Sequence, residues 1–201
     1  KVVAGVLKRD LFHGGQVRLN GRSVRYRVPR PAVRDGIIYV TEDRKVEGFF
    51  ETMSIAENIY LAAMAGSQTK SATVSMSEMQ ALAEEWVAAL NVKAINADAR
   101  VIELSGGNQQ KIVVAKALVQ KPKLVIFDEP TRGVDVGAIA EIHQLINRLA
   151  DEGIAVMVIS SYLPEILQLS DRILVCRQGR IVEEFEGHRA DEETIMYAAV
   201  H

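Results

Sequence analysis

The sequence predicts a mixed α/β domain with buried central strands, and three observations carry that expectation. Short continuous apolar runs at residues 37–40, 124–127 and 154–159 have strand length and do not alternate with polar residues, the pattern of strands covered on both faces. Segments with helical spacing separate them, notably residues 106–120 and a helix with Ile139, Ile142, Ile146 and Leu149 on one face that ends near Gly153. Residues 49–100 read as helices with polar breaks, a helical insert between strand segments.

Residues 1–11 place Val2, Val3, Val6 and Leu7 at helical spacing with no start signal before them, so the first helix is expected to begin upstream of Lys1. His13-Gly14-Gly15 is a turn. Residues 16–19 and 24–28 flank Asn20-Gly21, a pair that favours a tight hairpin. Residues 33–36 lead into the strand at 37–40, which ends at Thr41-Glu42-Asp43-Arg44-Lys45. Such a charged run is ordinarily a solvated loop, but this one lies where a buried strand exits and stays a candidate.

Within the insert, residues 53–59 are one helical piece and residues 66–75 are Ser/Thr-rich and read as a mobile loop. Ser77 with Gln80 gives a capping box for a helix that lines up Met79, Leu82, Trp86 and Leu90; Trp86 belongs to core or contact surface rather than to a nucleotide stack. Beyond residue 159, Ser160-Ser161-Tyr162 lies at a strand end and Pro164 falls in the first turn of a short helix. Residues 173–176 and 181–182 form a hairpin about Gln178-Gly179, and the tail to His201 is helical. His143 falls among solvent-facing positions, and none of the histidines reads as a ligand or base. Cys176 reads as core packing in a reducing compartment.

The 201 residues suit one domain with a substantial core, without internal repeat, and 48% hydrophobic with 25% charged residues is an ordinary soluble composition. A net charge of −2 gives no bulk electrostatic case for nucleic acid or an anionic lipid surface. The apolar runs fall far short of a membrane span and no signal peptide precedes them, so membrane association is expected through a protein partner.

The chemistry concentrates in residues 104–129. Ser105-Gly106-Gly107 opens a helix, and two glycines after a serine leave backbone N–H groups free at the end where the helix dipole favours an anion such as phosphate. The strand at 124–127 then delivers Asp128 and Glu129 at its C-terminal end, where open α/β sheets place ligands. One carboxylate suits magnesium; the other is placed to activate water. Alone, each half has a bland reading, a turn with an N-cap and an ordinary strand exit.

In this order and separation, the two stretches resemble the signature and Walker B motifs of ATP-binding-cassette (ABC) ATPases, and the resemblance runs from Lys1 to about Phe185. It implies an α/β, P-loop NTPase-like ABC cassette: a mixed-sheet core over residues 1–48 and 101–201, a helical subdomain over 49–100, and no N-terminal strand or Walker A loop. Asn108-Gln109-Gln110-Lys111, Glu42-Asp43-Arg44 and Thr131-Arg132-Gly133-Val134-Asp135 are most similar to the second cassette of the fused ATP-binding subunits of bacterial monosaccharide importers, the ribose and galactose group.

The resemblance implies ATP and Mg2+ as cofactors and two cassettes that clasp two ATP molecules head to tail. Ser105, Gly106, Gly107 and Gln109 would complete a site whose phosphate loop lies on the partner cassette. Asp128 would bind magnesium, Glu129 would be the general base of this cassette's own site, and Asp135 would lie in the loop that touches the partner. The implied partners are a first cassette in the same chain or a second cassette, membrane permease subunits reached through the loop at Glu42 and the helical insert, and indirectly a periplasmic sugar-binding protein. No nucleic acid is implied, and the place is the cytoplasmic face of the inner membrane.

The sequence also departs from that pattern. It carries no Gly-rich loop ending in Gly-Lys-Ser/Thr, Glu42 stands where a glutamine is usual, and Ser161 stands where a switch histidine is usual, without a charged imidazole to offer a γ-phosphate. Little ATPase is therefore expected from these residues alone, and an asymmetric transporter is expected from the whole. Two alternatives stay open: a non-transport ABC ATPase acting on DNA ends or ribosomes, and a degenerate cassette that binds without hydrolysing.

Overall fold

The computed structural model describes residues 1–8, 15–66 and 74–201, so the turn expected at His13 and most of the loop expected at 66–75 lie outside the described residues. Residues 2–5 form turns rather than the expected first helix turn, with Ala4 buried and the Gly5 N–H donating to the Val2 carbonyl at 3.1 Å. Gly5 needs its φ of +72°, and an added Cβ there would strike the Val28 carbonyl oxygen at 2.5 Å. The close approach of two backbones displaces the helix.

The hairpin forms as expected. Asn20 and Gly21 take φ of +50° and +78° between β1 (Val17–Leu19) and β2 (Arg22–Val24), which pair antiparallel. A short helix that the sequence reading lacks, α1 (Pro29–Arg34), starts on a proline pre-set for its first turn and precedes β3 (Ile37–Val40). Next comes α2 (Ile55–Gly66), with reciprocal capping: the Ser54 N–H donates to Glu57 at 2.8 Å and the Glu57 N–H to Ser54 Oγ at 3.1 Å. In α3 (Met76–Ala89) the cap is Ser75, which accepts from the Glu78 N–H, and not Ser77. Both serines precede a residue able to close a box; the earlier one wins because it carries the helix back to Met76. Met79 and Leu90 are buried on the expected face, with Leu82 and Trp86 half-buried beside them.

The helix α4 (Gly106–Leu118) is buried along almost its whole length, including Gln109, Gln110 and Lys111. Lys111 is neutralised by Glu141 and donates to the Asn91 carbonyl at 2.9 Å, as a buried ammonium requires. The strand β4 (Leu124–Asp128) runs parallel to β3 and to β5 (Ala155–Ile159), and α5 (Val136–Asp151) returns between them. Val125 and Phe127, fully buried, face a cluster with Ile55, Ile59, Ile112 and Ile142, while Ile126 faces a second cluster with Ala4, Tyr26, Ala32 and Ile37.

After β5 come α6 (Leu163–Leu169), β6 (Arg172–Arg177), β7 (Arg180–Glu186) and α7 (Glu192–Val200). The β6-β7 hairpin turns at Gln178 and Gly179, both with positive φ, and packs on α7 around Ile173, Val175 and Ile195. The expected mixed sheet is corrected as well: among the described residues the sheet of β3, β4 and β5 is wholly parallel, and the two antiparallel hairpins form separate two-stranded sheets.

Three expectations are corrected here. The strand at 154–159 is not covered on both faces: Met157 and Ile159 are 47% and 44% exposed. Met157 lies in register with Ile126, but the cluster covering that face reaches β3 and β4 only. Cys176 is exposed on β6 rather than in the core, because Ile173 and Val175 take the inward face of that strand. His143 is buried rather than solvent-facing. It flanks the apolar stripe of α5 where α6 packs, and its ring nitrogens lie 3.0 Å from Glu165 Oε1 and 3.0 Å from Gln168 Oε1. Among the described residues, no helix is long and apolar enough to cross a membrane.

Candidate nucleotide site

Two carboxylates leave the C-terminal end of β4 in different directions. Asp128, half-buried, accepts a short hydrogen bond from the Tyr39 hydroxyl on β3. Burial first, then that bond and the Asp128 charge, hold the Tyr39 phenol well above its ordinary range, so it stays a donor. Glu129 takes φ of +49°, a left-handed conformation that a non-glycine residue adopts at a cost of order 1 kcal/mol or more. Its N–H donates to the Ile159 carbonyl at 2.8 Å, and its carboxylate accepts the Ser161 N–H at 2.8 Å. The turn from strand to loop therefore aims the Glu129 side chain across the exit of β5, and Ser161 meets it through backbone rather than hydroxyl.

The start of α4 is a built N-terminus. Ser105 caps it, its Oγ accepting the Asn108 side-chain amide at 2.9 Å, and Asn108 in turn accepts the Lys93 N–H at 2.9 Å. The glycines are needed for space rather than for an unusual φ. A Cβ on Gly107 would meet Ala138 Cβ at 2.4 Å, and one on Gly106 would meet Arg44 Nη2 and the Gly133 carbonyl, each at 3.0 Å. Loop 131–135 thus packs directly on the helix start, and Asp135 caps α5 by accepting the Ala138 N–H at 3.1 Å.

Gln109 is buried; its amide donates to the carbonyls of Leu104 at 3.0 Å and Ile102 at 3.3 Å. Glu42 pairs with Arg132 at 2.9 Å, both partly exposed, a bridge of little value to stability. The structure thus joins Glu129 with Ser161, Gly107 with the Asp135 loop, and Glu42 with that same loop. Among the described residues, no hydrogen bond joins Ser105, Gly106 or Gly107 to Asp128 or Glu129. Sequence reasoning missed Tyr39, an inner-strand tyrosine with no local signal, and His143 with Glu165.

No group of three or more His, Cys, Asp or Glu side chains among the described residues is able to cage a metal. Asp128 fits magnesium in the other common manner, one carboxylate whose remaining ligands are phosphate oxygens and water.

A parallel sheet that puts two adjacent carboxylates at its C-terminal edge, beside a loop packed on a glycine-lined helix start, defines an α/β domain of the nucleotide-handling kind. The chain belongs to the ABC transporter family, whose model, described as ABC transporter, matches residues 1–132. It is 41% identical over 200 residues to the ribose import ATP-binding protein RbsA of Caldanaerobacter subterraneus subsp. tengcongensis, covering 100% of this chain and 40% of that protein. It is 46% identical over 185 residues to the xylose import ATP-binding protein XylG of Thermoanaerobacter pseudethanolicus, covering 92% of this chain and 36% of that protein. The chain therefore spans about 40% or less of the length of these curated relatives.

Among solved structures, a nucleotide-free ATP-binding cassette from an ABC transporter superposes with a TM-score of 0.78 at 23% identity over 98% of this chain and 76% of that one. A dimeric cassette in a post-hydrolysis state bound to ADP and Pi gives 0.72 at 22% identity over 86% and 73%. These likenesses establish the α/β ABC cassette fold.

Proposed function

We propose that this chain is the second ATP-binding cassette of a bacterial monosaccharide importer, an ABC-type ATPase whose hydrolysis drives sugar uptake through permease subunits. The observation that carries hydrolysis is the left-handed Glu129, strained at the end of β4 and fixed by the Ser161 N–H. That bond takes Oε1 and leaves Oε2 to accept a proton from the attacking water. The two curated relatives are named as ribose and xylose import proteins, which supports a pentose or related sugar as cargo.

In this reading residues 49–100 act as the helical subdomain facing the permease, and the phosphate-binding loop comes from sequence outside these residues. The outer edge of β5, unpaired among the described residues, and the exposed Met157 and Ile159 support a further segment docking there. Asp128 would hold magnesium, which supplies charge neutralisation on the phosphates when bound, and Tyr39 orients that carboxylate. Ser105, Gly106, Gly107 and Gln109 complete the partner's site, and Asp135 belongs to the loop that meets the partner. Glu42, neutralised by Arg132, and Ser161, which offers only backbone, leave the chain's own site the weaker of the two.

The test is ATPase of the full-length protein with its permease. Ser105→Arg is expected to abolish most turnover, roughly 100-fold as for loss of a transition-state contact, with a smaller loss in Glu129→Gln. Equal loss in both would remove the asymmetry, and no loss in either would remove the ATPase reading.

A further inference from the structure

Arg44 opens a π-type turn, Arg44–Gly48, whose backbone is pinned at both ends. Asp43 accepts the Val46 N–H at 3.1 Å, and Lys116 of α4 donates to the Gly48 carbonyl at 2.6 Å. From this base the guanidinium reaches across the molecule. Nη1 donates to the Arg132 carbonyl at 2.7 Å, Nη2 to the Gly133 carbonyl at 2.7 Å, and Nε to Gln109 Oε1 at 3.4 Å. Gln109 carries the connection on to Leu104 and Ile102. One planar fork, rooted after β3, thus holds both the loop after β4 and the start of α4.

Stability is a poor reason for a cation in this place. The N-terminal end of a helix is positive and repels it. Burial lowers the guanidinium below its ordinary pKa, an effect that the neighbouring Asp43 charge offsets only in part. No carboxylate among the described residues lies within ion-pair distance of it. The surroundings are nonetheless shaped for it: Gly106 lacks the side chain that would meet Nη2 at 3.0 Å, and loop 131–135 presents two successive carbonyls to one fork. A lysine has a single charged nitrogen and does not reproduce that geometry.

We propose that Arg44 is a positioning residue that locks the helix start at residues 105–109, loop 131–135 and the loop after β3 into one unit, so that the surfaces completing a nucleotide site move together. The inference rests on the ATPase reading for its consequence in turnover, and on the contacts alone for the lock itself.

Two measurements on the full-length protein with its permease separate these. In ATPase assays, Arg44→Ala and Arg44→Lys should both lower kcat by roughly 10- to 100-fold, the effect of a small misplacement, with KM for ATP changed by less than about threefold. In amide exchange, both Arg44 variants should exchange faster at residues 132–135 and 106–109. Unchanged exchange overturns the lock whatever the turnover. Full rescue of kcat by Arg44→Lys overturns the fork. A wild-type complex without ATPase would sink the functional reading, and exchange would still judge the lock.

Discussion

β4 and β5 are neighbours in one parallel sheet with nearly the same kind of sequence, yet they meet different surroundings. Val125, Ile126 and Phe127 are at most 2% exposed, whereas Met157 and Ile159 of β5 are almost half open. The register pairs Ile126 with Met157 and Phe127 with Val158, so the difference does not lie in the strands' orientation. It lies in what covers each face. The large cluster reaches both strands on one side, while on the other side the small cluster around Ala4, Tyr26 and Ala32 stops at β4. An apolar run records that a strand is meant to be covered; its neighbours decide whether it is.

The largest test of this contrast is truncation at matched depth. Ile126→Ala should destabilise the 201-residue chain by about 2–5 kcal/mol, while Met157→Ala, its register partner, should cost less than about 1 kcal/mol; urea unfolding reads both. A similar cost for the two would show that β5 is packed after all. The contrast sharpens in the full-length protein, where Met157→Lys should lower the melting temperature by about 4 °C or more if a further strand docks on β5, and leave the 201-residue chain near its original value.

On the covered side, the half-buried Lys116 ammonium is pushed down to about 8 by its burial. Its folded value lies below its unfolded one, so the unfolded chain holds the extra proton between the two, and this group adds stability as pH rises from about 8 to 10.5. Denaturation in that window should show the wild type gaining on Lys116→Met by at most about 2–3 kcal/mol. On the β5 side, His143→Ala strips Glu165 of its hydrogen-bond partner and should cost about 1–3 kcal/mol in the same assay. The smallest effect is at α3, where Ser75→Ala should cost about 1 kcal/mol and Ser77→Ala close to nothing; reversed values would restore Ser77 as the cap.

Much of the architecture was legible because local chemistry decides it. Asn20-Gly21 and Gln178-Gly179 turn hairpins since both residues of each pair accept positive φ, and the stripe of Ile142, Ile146 and Leu149 fixes the inner face of α5. The order of β3, β4 and the carboxylates could be read because the apolar runs end at Asp128 and Thr41. What escaped depends on partners distant in sequence. His143 is drawn inward by Glu165, a residue of another helix, and Tyr39 acquires meaning only when β3 and β4 lie side by side. At the candidate site, the Ser105-Gly106-Gly107 reading expected glycines that free N–H groups. Their first duty in the fold is to let Arg44, Gly133 and Ala138 approach, a reason invisible without the loop that fills the space. The first turn of the expected helix failed over residues 2–7 for the same cause, because spacing alone does not reveal the Val28 carbonyl against Gly5.

The exposed Cys176 has a practical consequence. It is the only cysteine in the chain and its side chain stands exposed on β6. A maleimide fluorophore would therefore attach at a single point without removal of any other cysteine, giving a fixed reporter against which a second dye, placed in the loop after β3, reads changes in the distance between the two.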